Sequence, residues 1–446
     1  MSSLARTFGL RDLTLLIVGS VIGSGIFASP GAVLRDVNGV AGLALMVWLV
    51  GGVLSLLGAL TYGELSAMHP KAGGLYVYIR DCFGRFPAFM FGWTLFFVIG
   101  SGTIATLAVI FSGYLSAVVP IGQTASKLIS VLMILVIMAI NVLSTRKSAD
   151  LQNWTTLIKV AAIALMSVIL LSLGSGGAET RANLWPETTD WSVASGFGAA
   201  MISVLWAYEG WQYGTYSAGE TINAERNYPR AFLIGLAALI TVYLLANVAY
   251  LTALGPAAAA KTDRIAADSM MALVGPTAAK IITIPILISI FSAANSTVLT
   301  APRVFYAMAQ DGLFFKKLAE VHPRFGTPAF AIIATSLWAA VLSLNGTFQE
   351  LLTFVVFIGW IFYAVGAACV FVYRKHIPAE ARPYRVPGYP LTPILFILSA
   401  VALIVNTILT QDPVRTSIAL GIVLLGAPAY LIWRSSSKAL ATETEG

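Results

Sequence analysis

Apolar runs of about 20 residues, the length a helix needs to cross a bilayer, recur along nearly all of these 446 residues. Hydrocarbon offers no water to backbone N–H and C=O groups, so a spanning segment must satisfy them itself, and runs of this length do so as helices. Hydrophobic residues make up 58% of the chain and charged ones 11%, against about 25% charged in a soluble protein. The expected architecture is all-α and polytopic: a single transmembrane domain over 1–446, with no loop long enough for a separate soluble one.

The apolar runs read as about twelve spans, near 12–37, 40–67, 84–118, 127–144, 151–174, 196–220, 229–255, 277–310, 329–345, 350–374, 391–410 and 415–434. Most of the 27 Lys and Arg residues fall in the tails and the loops on the N-terminal side. That bias places both termini in the cytoplasm of a multi-pass protein of the cell membrane. It also explains the net charge of +7 as a topology signal, which argues against a nucleic-acid partner. The start of the chain has some features of a signal peptide, but its apolar run is glycine-broken, and a retained first span is the better reading. Residues 256–276 read as short surface helices, and the tail after Arg434 is polar and expected to be disordered. Cys82 and Cys369 form no disulfide framework, and no His/Cys/Asp/Glu spacing suits a metal. His69, His322 and His376 all lie in N-terminal-side loops, and no phosphate-binding loop occurs. Neither an enzyme, a cofactor protein nor an ATP-driven pump fits.

Two interruptions carry the functional signal. Within the first span, Gly19, Ser20, Gly23, Ser24 and Gly25 crowd a short stretch where a helix should be uniform. Glycine weakens a helix and lets the backbone turn away. A small-residue packing face is the bland explanation. The sixth span contains a second interruption, Trp206-Ala207-Tyr208-Glu209-Gly210-Trp211. Span one opens one group of five spans and span six opens the next. Five is odd, so the second group runs through the membrane the opposite way. Breaks at equivalent positions of two inverted halves point to a secondary-transporter site. The halves are expected at 11–174 and 196–374, with an additional helix pair at 391–434.

A helix cut at mid-membrane exposes N–H groups on one half and C=O groups on the other, each end with about half an elementary charge. Two such cuts side by side suit a zwitterion. Its carboxylate would meet the amides of Ser24, Gly25 and Ile26. Its ammonium would meet the carbonyls of Val21 and of the stretch holding Trp206, Ala207 and Glu209. The substrate class is therefore an amino acid.

The Gly23-Ser24-Gly25-Ile26-Phe27 motif, followed by Ser29-Pro30-Gly31, resembles the first-helix signature of the amino acid–polyamine–organocation transporters. The Trp206 to Trp211 stretch, followed by Glu220, Arg226-Asn227 and Pro229, is similar to the sixth-helix region of the L-type amino acid transporter branch. Lys159, Asn295-Ser296 and Arg303 fit the same branch, and the likeness runs from about residue 10 to 435. It implies a five-plus-five inverted repeat with broken helices one and six, plus two extra C-terminal helices, carrying amino acids without sodium. By the same resemblance, Ser24 and Gly25 bind the carboxylate and the carbonyls of Val21, Trp206 and Glu209 bind the amino group. The Trp206 ring is the gate, and Thr103 and Trp360 line the side-chain pocket. Animal members of the branch carry a cysteine between spans three and four that links them to a glycoprotein heavy chain. Residues 120–126 here hold none, so no disulfide-linked heavy chain is expected. Glu209 stands where several relatives have glycine.

Two charged residues keep alternative readings. Lys159 either snorkels to the surface or holds its ammonium where sodium-coupled proteins of the same fold hold a cation, against span-one carbonyls and span-eight hydroxyls. Glu209 either caps a local backbone group or tunes substrate charge. Glu64 and Glu220 read as interfacial pairs or inner-gate elements. The leading functional reading is amino acid exchange by alternating access, with proton-coupled symport as the alternative and a membrane channel as a reading from another class.

Overall fold

The computed structural model describes residues 6–116, 118–187, 190–345, 348–410 and 413–433. Among these, nine helices are long and apolar enough to cross a membrane, and the bent pair Leu10–Val21 and Gly25–Asp36 makes a tenth. Two shorter apolar helices, Ala329–Asn345 and Ser417–Trp433, occupy the places of the ninth and twelfth spans. Regular structure among the described residues is otherwise helical, apart from an isolated bridge between Phe8 and Thr221. The tail after Arg434 lies outside the described residues.

Span one is the bent pair. Spans two to five are Ala41–Met68, Arg85–Ser116, Gln123–Leu143 and Thr145–Leu173. Span six is Trp191–Ala207 followed, after a turn, by the tighter helix Trp211–Glu220. Spans seven and eight are Ala224–Leu254 and Pro276–Gln310, and span ten is Phe348–His376. Several helices begin before the apolar windows do. Span six starts at Trp191 because Asp190 caps it, accepting from the amides of Ser192 and Val193 at 2.9 and 3.3 Å. The Ser192 hydroxyl and these amides hold the Asp190 carboxyl below the usual range. Ser144 caps span five through the Lys147 amide at 3.3 Å. A polar first turn with its amides satisfied is still helix, and hydropathy alone does not register it. The loop after span two also holds an unforeseen helix, Leu75–Phe83, bracketed by Gly74 and Gly84 at φ of 42° and 91°. The short helices Pro256–Ala259 and Ile265–Leu273 stand where surface helices were expected.

Spans five positions apart in the chain pack on each other. Two lies against seven, three against eight, and four against nine. In span one, the half Gly25–Asp36 packs on Trp191–Ala207, while Leu10–Val21 packs on Trp211–Glu220. The broken spans thus cross at the centre of the bundle. The periphery is apolar, with Leu128, Leu165, Ile281 and Leu398 each more than half exposed, as lipid contact requires.

Candidate functional site

The first break is a change of backbone direction. Helix Leu10–Val21 ends where Ile22 turns extended (ψ 91°), and a new helix begins at Gly25, bent 43° from the first. The amides of Ser24, Gly25 and Ile26 find no acceptor among the described residues, and the Ser24 hydroxyl is buried without a partner. Buried donors are almost always satisfied, so this cluster is aimed at something that accepts.

The second break follows Ala207. Gly210 adopts φ 119°, a region that favours glycine, and a Cβ there would lie 2.8 Å from the Ser20 carbonyl oxygen. A Cβ on Gly25 would lie 2.4 Å from the Ala207 Cα. The two breaks therefore touch backbone to backbone, and glycine is needed on each side for that contact. Gly25→Val would force the half-helices apart, so it tests their packing and does not isolate carboxylate access.

Some of the expected ammonium contacts are already engaged. The Tyr243 hydroxyl lies 3.1 Å from the Val21 carbonyl and 2.9 Å from that of Ala207, joining both breaks to span seven. The Trp206 carbonyl accepts the Glu209 amide at 3.0 Å, while the Glu209 carbonyl has no donor among the described residues. The Glu209 carboxylate accepts through Oε1 from Gln212 and Tyr363, both at 2.5 Å. Gln212 returns to the break by accepting the Gly210 amide at 3.2 Å.

Between the breaks lies a narrow cavity of about 20 Å³, lined by Val21, Ser24, Gly25, Thr103, Trp206 and Glu209 among the expected residues. Ile26, Ala207 and Trp360 are not in its wall. Ala207 packs on Gly25, and the Trp360 ring sits 5.3 Å from that of Phe396, with its Nε1 buried and unpartnered. The wall also contains Ser20 and Gly23 of the first break, and Leu107, Tyr213 and Ala293, which the sequence reading did not single out. Leu107 lies one helical turn from Thr103, so shared-face spacing could have found it. Tyr213, whose hydroxyl is 3.2 Å from that of Thr103, depends on the turn at Gly210 and left no comparable signal. A volume near 20 Å³ holds about one water, so an amino acid enters only if the walls move.

Lys159 is fully buried, and its ammonium donates to the carbonyls of Gly19 and Ile22 at 2.6 and 2.5 Å. These are carbonyls that the break left open. The span-eight hydroxyl beside them is that of Ser289, 3.1 Å from the Ile22 carbonyl and 3.0 Å from that of Gly23. The polar pair Asn295 and Ser296 of the same span lies elsewhere: Asn295 bonds Asn141 and Gln152, and the Ser296 and Ser20 hydroxyls meet each other.

Two broken helices crossing within a multi-pass bundle, unpaired donors on one and a buried ammonium behind it, define a membrane transporter. The chain belongs to the amino acid permease family, whose model matches residues 8–427. It is 34% identical over 432 residues to the serine/threonine exchanger SteT of Bacillus subtilis, covering 96% of this chain and 97% of that one. It is 32% identical over 415 residues to the mouse b(0,+)-type amino acid transporter 1, covering 92% and 84% of the two chains. It is 31% identical over 446 residues to the human large neutral amino acids transporter small subunit 2, covering 98% and 82%.

Proposed function

We propose that this protein is a sodium-independent secondary transporter that exchanges amino acids across the cell membrane by alternating access, with both termini cytoplasmic. The single observation that carries the reading is the set of unpartnered donors at the first break, the amides of Ser24, Gly25 and Ile26 with the Ser24 hydroxyl. Donors at a helix N-terminus, with the dipole behind them, suit a carboxylate. The ammonium goes to the Glu209 carbonyl and the adjacent Val21 and Trp206 carbonyls. Thr103 and Tyr213 face the side chain, and Trp206 gates it. Trp360 acts through its ring contact with Tyr363, whose hydroxyl donates to Glu209. Lys159 stands in for a bound cation, which makes sodium unnecessary. The inverted repeats run over 11–174 and 196–374, with 391–434 as an added pair. Likeness to an exchanger over nearly full length supports exchange in preference to net import. Residues 120–126 carry no cysteine, so the transporter works without a disulfide-linked heavy chain.

The test is reconstitution into liposomes with a panel of labelled amino acids. Uptake should depend on internal amino acid, saturate, and persist when choline replaces sodium. Uptake driven by a pH gradient into empty liposomes would favour proton symport, and non-saturating flux without counterflow would favour a channel.

A further inference from the structure

A cavity far larger than the one between the breaks lies elsewhere in the bundle. A vestibule of about 520 Å³ opens on the face away from the N-terminus, with Ser29, Arg35, Tyr114, Ser203, Asp263 and Arg264 in its wall. It rests on the elements that build the narrow cavity, one turn further along each. Ser203 precedes Trp206 by a turn of span six, Ser29 follows Gly25 by a turn of span one, and Ile110 follows Leu107 in span three. One turn is about 5 Å, so the two chambers are stacked, with Trp206 at the level between them.

The charges at the rim are unevenly engaged. The Arg35 guanidinium donates to the Ala260 carbonyl at 2.8 Å and to Asp263 Oδ1 at 2.7 Å. Arg264 is exposed, and among the described residues its guanidinium has no acceptor; only its backbone is bonded, the amide to the Thr262 hydroxyl and the carbonyl to the Asp268 amide, both at 3.0 Å. Asp263 keeps a second oxygen without a donor among the described residues. Asp268, the other nearby carboxylate, is held by the Thr262 hydroxyl and is not in the wall. A concave wall thus presents one free guanidinium beside one half-free carboxylate.

We propose that this vestibule is a second, outer binding site for amino acids, where Arg264 takes the carboxylate and the open oxygen of Asp263 takes the ammonium before the substrate passes Trp206. The inference rests on the transport reading above. Volume supports the order of events: about 520 Å³ admits an amino acid with water around it, whereas about 20 Å³ does not. The pairing is chemically apt, since a guanidinium fork matches a carboxylate. A zwitterion carries no net charge, so long-range steering contributes little and contact within the vestibule must supply the effect.

The experiment measures exchange of labelled L-serine by full-length protein from each face separately, in oriented vesicles. Arg264→Gln should raise the apparent KM from the vestibule face by roughly three- to tenfold. The KM from the N-terminal face and the maximal rate should not move, and Arg264→Lys should restore most of the loss. Because the guanidinium makes no structural bond, the variant should fold, which thermal unfolding of the same preparations checks. An unchanged KM from the vestibule face, or an equal rise from both faces, would overturn the outer site while leaving the transport reading intact. If the wild type exchanges none of the amino acid panel, the transport reading fails and the outer site falls with it.

Discussion

The two ends of the pathway each carry an Arg–carboxylate pair, and the pairs could hardly be more different in setting. At the N-terminal face, Arg303 binds Glu220 at 3.0 Å, with side chains only 1% and 2% exposed. The same guanidinium also reaches the Leu299 carbonyl and, at 3.1 Å, the Thr145 hydroxyl. The Glu220 carbonyl accepts the amides of Thr7 and Phe8 at 2.8 and 3.0 Å, and Phe8 accepts in turn from Ile222 at 2.9 Å. Phe8 is buried against Leu16, Ala149 and Leu299, so an aromatic ring plugs this end. At the opposite face, Arg35 and Asp263 also meet at 2.7 Å, but their side chains are 45% and 81% exposed. Solvent screening leaves such a pair about 0–1 kcal/mol. Breaking a buried one by removing a single partner costs about 3–5 kcal/mol. Burial, not the number of ion pairs, explains why the chain is sealed at one end and open at the other.

The sharpest way to break this contrast is Arg303→Met, which leaves the Glu220 carboxylate buried and uncompensated. Thermal unfolding should fall by the equivalent of about 3–5 kcal/mol. The double variant Arg303→Met with Glu220→Leu should recover much of that stability, because both charges are gone. Equal instability of the two variants would mean that the pair is not what holds this end.

Lys159→Ala removes the donor shared by Gly19 and Ile22 between the two ends. Leaving buried carbonyls without donors costs about 1–3 kcal/mol, and exchange should drop roughly tenfold or more. Transport by the alanine variant at the wild-type rate, or a clear sodium requirement in the wild type, would remove the cation role.

Phe8→Ala unplugs the sealed end without touching its ion pair. The balance between conformations should move by about 1–2 kcal/mol toward opening at that face, a factor of roughly 5–30. An impermeant thiol reagent applied to an Ala149→Cys protein lacking Cys82 and Cys369 reads this directly. Labelling that does not speed up would count against the plug.

Trp206 sits at the boundary between the open chamber and the closed one. Trp206→Ala should lower transport with folding preserved, and Trp206→Phe should retain more of it; identical behaviour of the two would argue against a ring that closes over substrate. The smallest effect belongs to the exposed pair. Arg35→Ala should shift stability by less than about 1 kcal/mol, and a shift as large as that of Arg303→Met would erase the distinction between the two ends.

Local features were legible from residues alone. The glycines and serines of residues 19–25 announced a break, and Gly210 with Glu209 announced its counterpart, because chain direction depends on φ and ψ at the residue itself. Lys159 was legible as an anomaly, since an ammonium in an apolar run demands a partner. A span-eight hydroxyl was expected beside the carbonyls that Lys159 holds, without a residue number, and the structure supplies it as Ser289. Trp360 was placed in the pocket by resemblance and lies outside its wall.

By itself, then, the sequence determined a polytopic helical bundle with two interrupted spans, because apolar length and glycine content act along the chain. Tertiary structure alone decided that the Lys159 ammonium meets carbonyls 140 and 137 residues away, that Tyr243 joins the two breaks, and that Phe8 plugs one end. Contacts at such separations depend on how whole helices tilt and rotate against one another. Rotation about a helix axis is set by the packing of every neighbour at once, and no local stretch of residues encodes it.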